Sequence, residues 1–361
     1  MNKFDKWDIA FRDQKLDVFN NNPDGLLWLK VRAICRGRQL KEFLGENNIV
    51  LNSTKVSDKN RELFDILINR ADASIILDRF LQSMNHEWYN EMGVDIEQLK
   101  EDLYNVQYYS WGGDQNNSLD KYFISRYVKI ISKYSDLQNR QAEIGANAWN
   151  YVQNSWYNNW TSFIIESFFK QNPRVISAVG EIKSVDFFID EYPIDLKVTF
   201  FPNQFMEQKL KGILGTSEKA WLKKKCKTLG ISCDPKASEP QQIYTLTEKL
   251  KEIGRSDVIR ELDAFRNQII VESQENPTEL IKWLYENQGE MRFGAENRIY
   301  LILADSADFA QAWKMKRAFS LIEPKIKQYI ENFSAGSLKK IEFEFKKRRY
   351  STLSDIIFVV K

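Results

Sequence analysis

The sequence predicts an α/β fold, in which strands of a mixed sheet are flanked by helices, and two observations carry that reading. Ser184 to Thr199 has the form of a β-hairpin, with two apolar runs of strand length around the polar, proline-containing turn Asp190-Glu191-Tyr192-Pro193. Asn297 to Ala304 is a continuous apolar run of the kind buried on both faces at a sheet centre. Long stretches with apolar residues at helical spacings flank both.

Taken in order, residues 1 to about 145 form a helical N-terminal region, a candidate DNA-recognition or dimerisation arm. Its expected helices are Leu26 to Cys35, Asn60 to Ile68, Ser74 to Tyr89, Ile96 to Tyr104 and Leu119 to Tyr134. Turns such as Asn20 to Gly25 and Trp111-Gly112-Gly113-Asp114 join them. Arg32, Arg36, Arg38 and Lys41 offer a basic face near its start, the alternative being an ordinary solvated surface.

The second region runs from 146 to 361. Asn147 to Lys170 places Trp149, Val152, Trp156, Trp160, Phe163, Ile164 and Phe168 at steps of three and four, and Gln171-Asn172-Pro173 ends that helix. Val175 to Val179 reads as a short strand leading to Gly180 and Glu181. After the hairpin, roughly 205 to 290 is too long for a loop and carries helical spacing throughout, so it is a core helix plus an inserted helical subdomain. Asp308 to Tyr329 continues as helix with a break or kink at Pro324. Strands at Ile341 to Phe345 and Asp355 to Val360 close the chain, the first with one wet face.

The hairpin also carries the chemistry. Alternation sets Asp186, Phe188 and Asp190 on one side of the first arm, and Asp195, Lys197 and Thr199 together on the second. Asp195 and Lys197 interrupt a run otherwise apolar enough to be buried, and a charge there is costly unless it is paired or binds a metal. Two residues along a strand span roughly 6 to 7 Å, so a carboxylate can hold a divalent ion while the ammonium reaches a water or phosphate beside it. Asp186 can supply a second oxygen, and hard cations such as Mg²⁺ favour this ligand set. The bland alternative is an exposed polar face with incidental ion pairs.

At Asp186 and Asp195-Leu196-Lys197 the chain resembles the PD-(D/E)XK nuclease superfamily, which includes most type II restriction endonucleases and many repair and phage-defence nucleases. The family core runs helix, strand, hairpin, helix, strand, the order expected here, so the resemblance implies a restriction-endonuclease-like sheet. It implies Asp186 and Asp195 as Mg²⁺ ligands and Lys197 as the cation that positions or activates the attacking water. Val185 stands where the name-giving proline would be. Glu166, in the last turns of the preceding helix, sits where the family often adds an acidic ligand; a solvated glutamate is the equal alternative. Glu181-Ile182-Lys183 is a rival acid-x-Lys triplet, ranked second because no acid on a preceding strand accompanies it, and Glu181 remains a candidate third ligand.

The expected activity is thus Mg²⁺-dependent hydrolysis of double-stranded DNA by a type II restriction endonuclease, working as a homodimer and leaving room for a separately encoded DNA methyltransferase. Alternatives are a structure- or end-specific phage-defence or repair nuclease, and a catalytically silent nucleic-acid-binding protein on the same scaffold. Candidate phosphate contacts are Lys219, Lys223, Lys224 and Lys225, interleaved with Trp221, and Arg348 and Arg349 in a basic run near the C-terminus. The formal net charge of +2 means that a nucleic-acid surface must come from local clustering. A single histidine, His86, excludes chemistries built on several, and no nucleophile elbow, Walker loop or dinucleotide fingerprint occurs. Three cysteines at no zinc-like spacing favour a reducing cytoplasm, and neither a signal peptide nor a membrane span is expected.

Overall fold

The computed structural model describes residues 2–13, 15–34, 37–91, 93–110, 118–178, 185–287 and 296–361. Cys35, Arg36, the Trp111 to Asp114 turn, Gly180, Glu181 and Lys183 lie outside them, as does the side chain of His86. The architecture is mixed α/β. Six strands, β1 (Val175–Ser177), β2 (Phe187–Ile189), β3 (Tyr192–Phe200), β4 (Arg298–Ala304), β5 (Lys339–Phe345) and β6 (Arg348–Val360), form one sheet in the order β1-β2-β3-β4-β6-β5. The centre is parallel, β3 to β4 to β6, while β1, β2 and β5 pair antiparallel.

Parallel neighbours require a crossover. Between β3 and β4 it is the helical stretch read from the sequence, resolved into α10 (Asn203–Leu214), α11 (Glu218–Lys227), α12 (Glu239–Glu252), α13 (Ser256–Glu275) and α14 (Thr278–Asn287). All seven residues of β4 are buried because both faces are covered. Ile299, Leu301 and Leu303 join α9 (Gln141–Lys170) and α15 (Phe319–Glu331) in one core, whereas Tyr300, Ile302 and Ala304 join the insertion in another.

The N-terminal helices α1 (Lys3–Arg12), α2 (Pro23–Ile34), α3 (Gly37–Glu46), α4 (Val56–Leu67) and α5 (Ala73–Glu91) build a third core, which Ile176, Val185 and Phe188 enter from the sheet. Asn20 and Asn21 tie this layer to the site, bonding Asn297 at 3.2 Å and the Tyr192 hydroxyl at 2.6 Å. Short helices α6 (Ile96–Asp102), α7 (Leu119–Phe123) and α8 (Tyr134–Gln138) lead into α9. No helix of the described residues is long and apolar enough to cross a membrane.

Several expected boundaries move. The helix expected over Leu119 to Tyr134 is α7 followed by a π-helical turn, Ile124–Val128, and ends before the next helix begins. Downstream of β4, Phe309–Arg317 is 3-10 helix; the interruption falls at Ala318 (ψ 57°), and α15 continues through Pro324. The final strand is longer than Asp355 to Val360, because its first half pairs with β5 as a hairpin.

Candidate active site

The hairpin turn is tighter than its sequence suggested. Tyr192 and Pro193 already belong to β3, leaving Asp190-Glu191 as the turn, with Asp190 in the left-handed region (φ 49°) that short polar side chains tolerate. Asp190 is anchored there by Arg174, whose Nε donates at 3.1 Å.

β2 and β3 then stay together for only three residue pairs, ending at Phe187 opposite Ile194. From Asp195 onward β3 pairs with β4 alone, and its exposure changes at that point: Tyr192 to Ile194 are buried, while Asp195 to Phe200 are all half-buried. Among the described residues, an interior strand therefore becomes an open edge at Asp195.

Asp186 stands at this parting. Simple alternation fails here, because Asp186 is a bend before β2, and Val185 enters the core of Phe188 rather than that of Phe187. The Asp186 N–H donates to the Ile194 carbonyl at 2.8 Å, and its carboxylate accepts from the Leu196 N–H at 2.7 Å, closing the backbone donor exposed where β2 departs. Asp186 and Asp195 thus occupy the next rung beyond the last paired one. Burial, followed by the charge of Asp195 and with a smaller contribution from Glu166, pushes the Asp186 carboxyl up to about 7, against the Leu196 hydrogen bond and the charge of Lys170, which both lower it. Glu166, one turn before the end of α9, ion-pairs with Lys170, the last residue of that helix.

Asp195 is engaged on its other side. Arg298, the first residue of β4 and its register partner, donates from Nε to Asp195 Oδ2 at 2.6 Å, while Nη2 reaches Glu296 at 2.9 Å. Both Arg298 and Glu296 are buried, and the ring centres of Tyr285 and Tyr300 lie 5.3 and 5.6 Å from the guanidinium carbon. Burial opposes the arginine's charge, but Asp195 and the two tyrosines outweigh it, and its proton is held more tightly than usual. Arg298 is thus a cation at Asp195 that the hairpin pattern does not include. An arginine opening an otherwise apolar strand was the signal in the sequence for this partner.

Lys197 lies two residues beyond Asp195, opposite Tyr300. The fold brings Asp186, Asp195, Lys197 and Glu166 to one corner of the sheet. Glu181 falls outside the described residues. Among the described residues no three acids, cysteines or histidines already stand as a closed metal-binding group. The donor chemistry nevertheless suits a hard divalent cation: among the described residues, Asp186 and Asp195 each use one oxygen in a protein hydrogen bond and keep another.

The candidate DNA contacts divide. Lys219 pairs with Glu239 at 3.0 Å, and Lys225 with Glu261 at 2.7 Å while lying over Trp221, so these two are spent within the insertion. Lys223 is half-buried and Lys224 exposed. The basic turn contracts to Lys346-Lys347, both left-handed (φ 47° and 64°), with Arg348 and Arg349 exposed on β6. Ser354 of β6 is the partner of Arg298, so Arg349 overhangs the Asp195 end of the sheet by five residues, roughly 16 Å of strand. A separate cavity of about 470 Å³ lies elsewhere, against α2 and the hairpin turn, where Lys30 pairs with Asp78.

Comparison with protein-family models, curated proteins and solved structures gives no match to this chain.

Proposed function

We propose that this chain is a Mg²⁺-dependent endonuclease that hydrolyses phosphodiester bonds of double-stranded DNA, in the manner of a type II restriction endonuclease. One observation carries the reading: β2 leaves β3 at the point where Asp186 and Asp195 meet, opening the edge that bears Lys197. Asp186 and Asp195 would hold the cation, with Glu166 in reach once it exchanges Lys170. Bound there, Mg²⁺ would supply charge neutralisation for the phosphate and acidify a coordinated water. Lys197 would align the attacking water and stabilise its hydroxide form. Arg298 fixes the Asp195 carboxylate without itself meeting the substrate. Arg348 and Arg349, overhanging this end of the sheet, are suited to the duplex backbone. Such an enzyme addresses both strands as a homodimer.

The test is cleavage of supercoiled plasmid by the purified chain with Mg²⁺ and with chelator. Asp195→Ala and Lys197→Ala should each lower the rate by roughly a thousandfold or more while circular dichroism stays unchanged; undiminished cutting by both refutes the assignment. Linear and branched substrates distinguish a structure-specific nuclease. A second reading, a silent nucleic-acid-binding protein, draws on the Arg298 to Asp195 ion pair, which already satisfies one ligand. Duplex binding without Mg²⁺ binding would favour it.

A further inference from the structure

Helix α9 carries apolar stripes on two opposite faces. The inner stripe is covered: Ile144 and Tyr151 pack against Tyr122 and Tyr127, Asn147 donates to the Tyr127 hydroxyl at 2.8 Å, and Asn154 and Tyr157 are buried. On the far side Ala142, Trp149 and Trp156 recur every seventh residue, with Gly145, Val152 and Asn159 each three residues later. All six are exposed, Trp149 by 65%. A helix on the surface of a lone chain shows one apolar face and a charged face behind it. Between Glu143 and Glu166 no residue is charged, in a chain that is 28% charged, and loss of charge with gain of tryptophan marks the core of an interface.

The stripe specifies its own partner. Alternate steps of three and four along one face form the seam between paired helices. The residues run from small, at Ala142, Gly145 and Ala146, to large, at Val152 and Trp156, with Trp149 midway. When the stripe is reversed against itself about Trp149, the small end of one copy receives the large end of the other. Ala142 then faces Trp156, and Gly145 and Ala146 face Val152. Such self-complementarity is what a two-fold interface requires. Gly145 supports it independently. A glycine inside a helix is destabilising, and a side chain there would meet nothing within 4 Å in this chain, so the room it leaves serves a body outside the chain.

We propose that α9 pairs antiparallel with α9 of a second copy of this chain, through the Ala142 to Trp156 stripe and about a two-fold axis at Trp149. The contact stands on this face alone and does not depend on the nuclease assignment.

Sedimentation velocity on the full-length chain at micromolar concentration should show a dimer. Trp149→Glu should weaken it at least about thirtyfold with unchanged circular dichroism and melting. Tyr244→Glu, on the exposed face of α12, should leave it intact. Ala142→Trp adds apolar surface but fills the hole, so it should also weaken the dimer, and combining it with Trp156→Ala should restore much of the loss. That exchange of sizes tests the fit even if Trp149→Glu fails to fold. A monomeric wild type, a folded Trp149→Glu variant that stays dimeric, or tighter association of Ala142→Trp overturns the pairing; the last is expected of a face that adheres to lipid or to any apolar surface. A dimer that cuts no DNA upholds the pairing and removes the nuclease reading alone, and a monomer that cuts DNA does the reverse.

Discussion

In the helical insertion, Lys209, Lys219 and Lys225 meet Glu279, Glu239 and Glu261 at 2.5 to 3.0 Å, every partner at least 31% exposed. At the start of β3, Asp195 and Glu296 share one buried guanidinium, and burial beside Asp195 raises the proton affinity of Asp186. The first region resolves its electrostatics by pairing opposite charges in water, where each pair contributes little. At the second corner that guanidinium serves two carboxylates, and Asp186 sits half-buried beside them with only a backbone N–H as its hydrogen-bond partner among the described residues. Sites built to bind or react show that imbalance, and surfaces built to stay soluble do not.

Breaking the buried network should have the largest effect on stability. Arg298→Met leaves Asp195 and Glu296 without their shared cation and should cost about 3 kcal/mol in denaturant unfolding; a loss below about 1 kcal/mol would place Arg298 in the same class as the surface lysines. The pH dependence sharpens the contrast. A carboxyl ordinarily near 3.8 that titrates at about 7 in the fold retains its proton there while the unfolded chain has lost it. Its contribution is therefore complete below the ordinary value and disappears as pH rises through about 7. Thermal unfolding of Asp186→Asn should gain on the wild type across that window, and saturating Mg²⁺ should cancel the gain. A difference that stays flat with pH would dismiss the crowding of acids. The smallest effect belongs to Lys219→Gln, which should change stability by less than about 1 kcal/mol because its pair is solvated.

The sequence made the charged positions of β3 more legible than the packing around them. Asp195 and Lys197 stood out because charges in a strand of Ile194, Leu196 and Val198 are conspicuous, and the turn followed from Asp190 to Pro193. The central strand was readable because β4 is apolar after Arg298. Three helices escaped notice: α1 buries only Phe4 and Trp7, α3 only Leu40 and Phe43, and the five-residue α8 none, too few for a clear period. The Arg298 to Asp195 bond was hidden because its partners are 103 residues apart and meet only through parallel register.

The most direct measurement is anomalous scattering from crystals grown with Mn²⁺, a Mg²⁺ surrogate with a usable signal. The account predicts one strong peak bonded to carboxylate oxygens of both Asp186 and Asp195, where β2 parts from β3, and its loss in Asp195→Asn. Crystals saturated with Mn²⁺ that show no density at this corner, with Asp195 held by Arg298 alone, would contradict it.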